Sequence, residues 1–223
     1  MSQLHQHADA PPAEAGPLAA TASLALREAT SAHHRQAERS AFQQQLALGR
    51  VTRAAFAAWL GQMHLVYSAL EAHVAHAGAA ALGGFAGRDW QRTSQLRVDL
   101  AHWGGSPLEH RPLPATARLL RELESWAAQE PRALLGVLYV LEGSTNGGRY
   151  LAKGLREAWQ VEGAPGLSFL DPHGEAQFAR WAAFKQELDR ALSLSAVSGA
   201  LEAARTTFQA LEAIGVELLA VGA

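Results

Sequence analysis

The chain has 223 residues, of which 48% are hydrophobic and 18% charged, with a formal net charge of −2. This composition fits one large globular domain, is too apolar for a disordered chain, and lacks the basic runs that bind nucleic acid. The sequence has no cysteine, which excludes disulfides, thiolate metal sites and iron–sulfur clusters, and no apolar run near the ~20 residues of a membrane span.

The first 20 residues show no hydrophobic period, so we predict a disordered tail over 1–20 and a single domain over 21–223. The start also lacks a charged segment followed by an apolar core, so we expect no secretory signal and a cytoplasmic location. Nearly every later turn signal separates segments of helical length. The predicted helices cover 24–40, 52–74, 88–103, 116–129, 131–159, 175–194 and 196–219. We therefore predict an all-α, single-domain bundle of seven or eight helices.

The first helix carries a histidine that could bind iron. His34 and Glu38 are four residues apart, so they meet on the helix surface. A histidine that binds iron through one nitrogen usually donates the N–H of its other nitrogen to an acceptor, and Glu38 is placed to accept it. Arg27 lies two turns before His34 on the same side, where a cation could meet a heme propionate. The other interpretation is a surface His–Glu pair that binds no ligand, and the constellation taken by itself favours that interpretation.

A glycine-rich segment, residues 143–148, interrupts the longest apolar stretch. If this segment is helical, Gly143 and Gly147 stack one turn apart, and a helix without side chains on that face can bring its backbone against a flat ligand. A buried strand followed by an anion-binding loop is the other interpretation. That interpretation predicts a Walker lysine or a dinucleotide-binding glycine pattern, and the sequence has neither. The pattern favours the flexible helix.

These segments resemble, in chain order from about residue 24 to 219, the bacterial biliverdin-producing heme oxygenases. Residues 26–38 look like the proximal helix, from the Leu-basic-Glu-Ala-Thr start to the His-x-Gln-Ala-Glu end. Residues 142–148 are similar to the distal helix, which carries a Gly-x-x-x-Gly-Gly element. Further similarities to the family's other helices lie in residues 49–56, 67–71, 184–186 and 204–208.

The resemblance implies a fold in which heme b, both substrate and cofactor, lies between the proximal and distal helices. His34 would be the axial iron ligand, with Glu38 beside it. Gly143 and Gly147 would let the distal backbone approach bound oxygen. The resemblance also implies propionate contacts from Arg27 and Lys185, with Arg190 as a further candidate, and a pocket wall at Phe208. The implied reaction opens heme to biliverdin, ferrous iron and carbon monoxide.

The resemblance also implies partners. The chain has no flavin or iron–sulfur signature, so electrons would come from a ferredoxin or a reductase. A bacterial phytochrome is a candidate acceptor of the biliverdin.

One position departs from the family pattern. Many members place an aspartate after the first distal glycine, where this sequence has Ser144. The water that activates oxygen would then depend on Ser144, Thr145 or Asn146. Because of this departure we keep a second hypothesis, a protein that binds or sequesters heme without degrading it. A third is a related helical bundle acting on another small molecule, such as a thiamine-degrading enzyme, which would need no axial histidine.

Overall fold

The computed structural model describes residues 20–87, 90–106, 110–163 and 165–221, and within these ranges it contains eight α-helices and no strand. The helices are α1 (Ala22–Glu38), α2 (Ala41–Ala47), α3 (Arg53–Leu82), α4 (Thr93–His102), α5 (Pro114–Gln129), α6 (Leu134–Trp159), α7 (Gln177–Ala191) and α8 (Ser198–Ala220). The predicted all-α fold is therefore confirmed. The predicted tail lies almost wholly outside the described residues.

Side-chain caps fix where the first three helices begin. Thr21 and Thr52 each accept a backbone N–H three residues ahead, at 3.3 and 3.0 Å, which starts α1 and α3. The start of α3 at Thr52 confirms the prediction. The Ser40 hydroxyl caps α2 in the same way, by accepting the backbone N–H of Gln43. No helix was predicted there. The α3 helix was expected to end before Gly78; it continues to Leu82 through a break at Gly78, whose φ is 69°.

The predicted helix over 88–103 is wrong at its start, because α4 begins only at Thr93. Residues 88 and 89 lie outside the described residues. The cause is a contact that the local sequence does not show: the Glu71 carboxylate of α3 accepts the N–H groups of Arg92 and Thr93, at 2.6 and 3.0 Å. This tertiary cap satisfies two of the donors left free at a helix start.

The glycine-rich segment is helical, and the strand interpretation is wrong. A short 3-10 turn over Pro131–Ala133 leads into α6, which runs without interruption through the glycines to Trp159. Every residue from Ala133 to Glu142 is buried. Each glycine inside a helix costs ~1 kcal/mol relative to alanine, so packing must hold this part of α6 in place.

Helix α8 packs against α1, α5 and α6, and so forms a wall shared by the helices that carry the two predicted site segments. The crossing of α6 and α8 is very close: a Cβ added to Gly136 would overlap the backbone of Ala200. Only glycine permits this approach. Within the described ranges, no helix has both the length and the apolar character needed to cross a membrane.

Replacing Gly136 by alanine should destabilise the protein by ~1–3 kcal/mol, because the new methyl group forces α6 away from α8. Urea unfolding of the protein without ligand measures the change. Gly147→Ala is the matched control in the same helix, since a Cβ there meets no heavy atom within 4 Å. That control should gain up to ~1 kcal/mol from helix propensity. Equal effects of the two changes would contradict the close crossing.

Candidate functional site

The predicted histidine lies on the surface of α1 with its expected neighbour. His34 Nδ1 is 3.6 Å from Glu38 Oε2, and the two side chains are 54% and 66% exposed. This distance is longer than that of a hydrogen bond, so the two side chains are neighbours that do not hydrogen-bond directly. On its other side, the His34 ring meets Phe208 of α8 edge-on, with ring centroids 5.9 Å apart. Nδ1 is turned toward a carboxylate, which leaves Nε2 as the nitrogen available to a ligand.

The Tyr139 hydroxyl of α6 lies near the Arg27 and Thr30 side chains of α1. The Thr30 hydroxyl donates to the Leu26 carbonyl of its own helix, at 2.7 Å. Burial raises the pKa of the Tyr139 hydroxyl, and these two neighbours partly offset the rise. Sequence reasoning missed Thr30 and Tyr139, which lie one turn before His34 and Gly143 on the two helices that carry the predicted site.

The two predicted glycines lie along one face of α6 together with Gly136. Gly143 and Gly147 follow Gly136 by seven and eleven residues, close to two and three whole turns of 3.6 residues. At Gly136 this face touches α8, whereas a Cβ on Gly147 would meet nothing within 4 Å. The face is thus closed at one end and open at the other. At Gly143, between them, a Cβ would lie 3.3 Å from Cη2 of Trp181.

The three polar residues between the glycines hydrogen-bond backward along α6. The side chains of Ser144, Thr145 and Asn146 donate to the carbonyls of Leu141, Glu142 and Gly143, at 2.7, 2.6 and 2.9 Å. Gln177 of α7 also donates to Thr145 Oγ1, at 2.6 Å. Thr145 is buried and Ser144 is exposed. Of the three hydroxyl and amide groups, Ser144 is therefore the one best placed to meet a solvent molecule.

Helix α7 closes one side of the glycine face with aromatic rings. Trp181 lies against Gly143 and has its ring centroid 5.4 Å from that of Tyr139. Lys185, one turn further along α7, has its ammonium 5.8 Å from the Trp181 ring. The structure thus brings Lys185 to the side of α7 that faces the glycines. Trp181 is not among the site residues predicted from the sequence.

Asp189 of α7, the residue before the candidate Arg190, anchors α1. Its carboxylate oxygens accept the backbone N–H and the hydroxyl of Ser23, at 2.7 and 2.9 Å. Arg190 is 70% exposed on its side chain and is 3.2 Å from Glu187, which in turn accepts the N–H of Gly84. Arg190 therefore lies toward the connection after α3, away from the contact between α1 and α7.

These features define a helical protein in which an exposed histidine and a glycine-faced helix are held on a common wall, α8. The family model for heme oxygenase matches residues 20–214. The chain belongs to the heme oxygenase family.

Comparison with individual proteins agrees with this assignment. Heme oxygenase 1 of Pongo abelii is 29% identical over 153 residues, which are 66% of this chain and 53% of that protein. The chain thus spans about half the length of the curated relatives it matches. The structure of heme oxygenase from Leptospira interrogans superposes with a TM-score of 0.80 and 24% identity, covering 89% of this chain and 100% of the other. The structure of heme oxygenase-1 from Synechocystis in complex with heme superposes with a TM-score of 0.81 and 21% identity, covering 91% of this chain and 96% of the other. At these sequence identities, the two superpositions show that this chain shares their fold.

Asp189→Ala should destabilise the protein by ~1–2 kcal/mol, because it removes two hydrogen bonds and a negative charge from the start of α1. Urea unfolding, with hydrogen exchange of the Ser23–Leu26 amides, measures the loss. Arg190→Ala, at the adjacent exposed position, should change stability by less than ~0.5 kcal/mol. If the two variants unfolded at the same urea concentration, Asp189 would not anchor α1.

Proposed function

We propose that this protein is a heme-degrading oxygenase, which converts heme to biliverdin, ferrous iron and carbon monoxide with dioxygen and external electrons. The supporting observation is the glycine face of α6, which touches α8 at Gly136 and is open at Gly147. Helix α8 also packs against α1, the helix that carries His34. Heme supplies the iron that binds dioxygen and the porphyrin ring that is opened. The protein has to hold the iron, orient the ring and control the groups near the bound oxygen.

His34 fits the role of axial ligand. The ring is exposed enough to reach an iron atom, and Phe208 restricts it from one side. With Nδ1 turned to Glu38, the imidazole would coordinate through Nε2. The carboxylate would then accept the Nδ1 proton, directly or through water, and raise the basicity of the ligand. Phe208 would also form part of the pocket wall.

Arg27 and Lys185 fit the propionate groups. Arg27 lies near Tyr139 of α6, and Lys185 lies beside Trp181 on α7. Two cations at this end of the site would pair with two carboxylates, and the ring edge would extend from there between His34 and the glycines. Arg190 is a weaker candidate than Lys185 because its guanidinium pairs with Glu187.

The distal side would act mainly through the absence of side chains. At Gly147 the backbone of α6 borders open space, so a flat ligand could approach it more closely than it could any residue with a Cβ. Such a surface would leave room for dioxygen beside the ring edge. The Ser144 hydroxyl donates to the Leu141 carbonyl, and its oxygen can still accept a hydrogen bond from a water there.

Turnover distinguishes an oxygenase from a carrier. The purified protein with bound heme, a ferredoxin–reductase system and oxygen should lose its Soret band and develop the absorption of biliverdin. We expect this because the open glycine face leaves room for oxygen beside the ring. A Soret band that persists under the same electron supply would contradict the oxygenase and support heme sequestration, the alternative raised by Ser144.

Changing His34 to alanine should lower heme affinity by at least ~10-fold and abolish the spectrum of histidine-ligated ferric heme, because the coordinating nitrogen is lost. Heme titration followed at the Soret band measures both effects. His33→Ala is the matched control at the adjacent position, and it should keep the ligation spectrum. A spectrum altered by the His33 change and retained in the His34 variant would overturn the assignment.

A further inference from the structure

A buried charge cluster lies directly before the glycine segment of α6. Glu142 is 4% exposed, and its two carboxylate oxygens lie 2.7 Å from Arg92 Nη2 and 2.8 Å from His173 Nε2. Arg92 Nη2 and His173 Nε2 are themselves 2.8 Å apart. Burying an ionised carboxylate is costly unless it is paired and hydrogen-bonded, and here both of its oxygens are used.

The three members of this cluster come from separate parts of the fold. Arg92 directly precedes α4, and its backbone N–H donates to the carboxylate of Glu71 in α3. His173 belongs to the connection between α6 and α7, of which residues 165–173 precede a 3-10 turn over Gly174–Ala176. Through Arg92 and His173, Glu142 is therefore linked to the start of α4, to Glu71 of α3 and to this connection. Its side chain points away from the glycine face, because residue 142 lies about 100° around the helix from residue 143.

The same connection contacts α6 again at the far end of the glycine segment. The carbonyl of Leu170 lies so close to Gly148 that a Cβ added there would overlap it. Gly143 to Gly147 thus lies between two contacts, His173 with Glu142 on one side and Leu170 with Gly148 on the other. The Ser144 side chain contacts only its own helix in the hydrogen bonds described, while Thr145 and Asn146 add contacts to Gln177.

The connection is itself held firmly to α4. Asp99, which is fully buried, accepts the Ser168 hydroxyl and the Phe169 N–H, at 2.8 and 2.7 Å. Burial raises the pKa of the Asp99 carboxyl, and these hydrogen bonds oppose the rise. The Phe169 ring also packs edge-on against Tyr67 of α3, with centroids 5.3 Å apart. The connection is thus a rigid support for α6.

We propose that residues 165–173 act as a clamp on the glycine segment, and that Glu142 and His173 are positioning residues which fix the height of the glycine face above the heme. The consequence for heme rests on the proposed function. The clamp itself is a property of the protein without heme. The three glycines within residues 143–148 give this segment of α6 little intrinsic helical stability, so releasing one contact should loosen it.

Hydrogen exchange of the protein without heme tests the clamp. His173→Ala removes one contact and leaves the Arg92–Glu142 ion pair in place, and Glu142→Gln removes the charge in an isosteric side chain. Each should raise the exchange rates of the amides of residues 143–148 by at least ~10-fold, because opening becomes easier. Glu217→Gln is the control. Glu217 also pairs with an arginine, Arg118, at 3.5 Å, but far from α6 in sequence, and its loss should leave these amides unchanged.

A second measurement reads the heme side. In the ferrous carbon monoxide complex, the C–O stretching band of both variants should broaden or split relative to the wild type, while heme affinity stays within ~3-fold since His34 is untouched. Unchanged exchange rates and an unchanged band in stable variants would overturn the clamp. Failure of the proposed function would be seen separately, as a wild-type protein that retains its Soret band during turnover. The hydrogen-exchange result tests the clamp whether or not heme is degraded.

Discussion

The close approach of backbones along α6 is the constraint on which the site depends. Gly136 lets α6 lie directly on α8, and Gly148 lets the connection after α6 lie directly on it from another side. Both contacts would be lost with any side chain. Because Gly143 and Gly147 continue the face that starts at Gly136, the same close packing sets where their backbone lies and where it becomes open.

Helix α8 supports both α1, which carries His34, and α6, which carries the glycine face. The His34 ring contacts Phe208, and α1 also meets α8 through Gln36 and Glu212, with amide-to-carboxylate distances of 3.1 and 2.8 Å. Tyr139 of α6 lies near Arg27 and Thr30 of α1. Helix α7 completes the enclosure with Trp181, and Asp189 holds the start of α1 to it.

All the helices except the short α2, together with the His34–Glu38 spacing and the glycine face, could be predicted because each depends on local periodicity. What could not be predicted depends on contacts between distant residues. Asp189 and Ser23 are 166 positions apart, and Glu142 and His173 are 31 apart. The start of α4 was placed too early because its cap, Glu71, belongs to another helix. A signal for the buried cluster did exist: Glu142 ends a run of apolar residues, and a charge at such a position requires a buried partner.

Crystals of the heme complex offer the most direct test of the central claim, that iron is held by His34 beneath the glycine face of α6. The account predicts that the iron is coordinated by Nε2 of His34, with the porphyrin between α1 and Gly143–Gly147 and its propionates toward Arg27 and Lys185. Iron bound to a different side chain, or a porphyrin outside the space between α1 and α6, would contradict it.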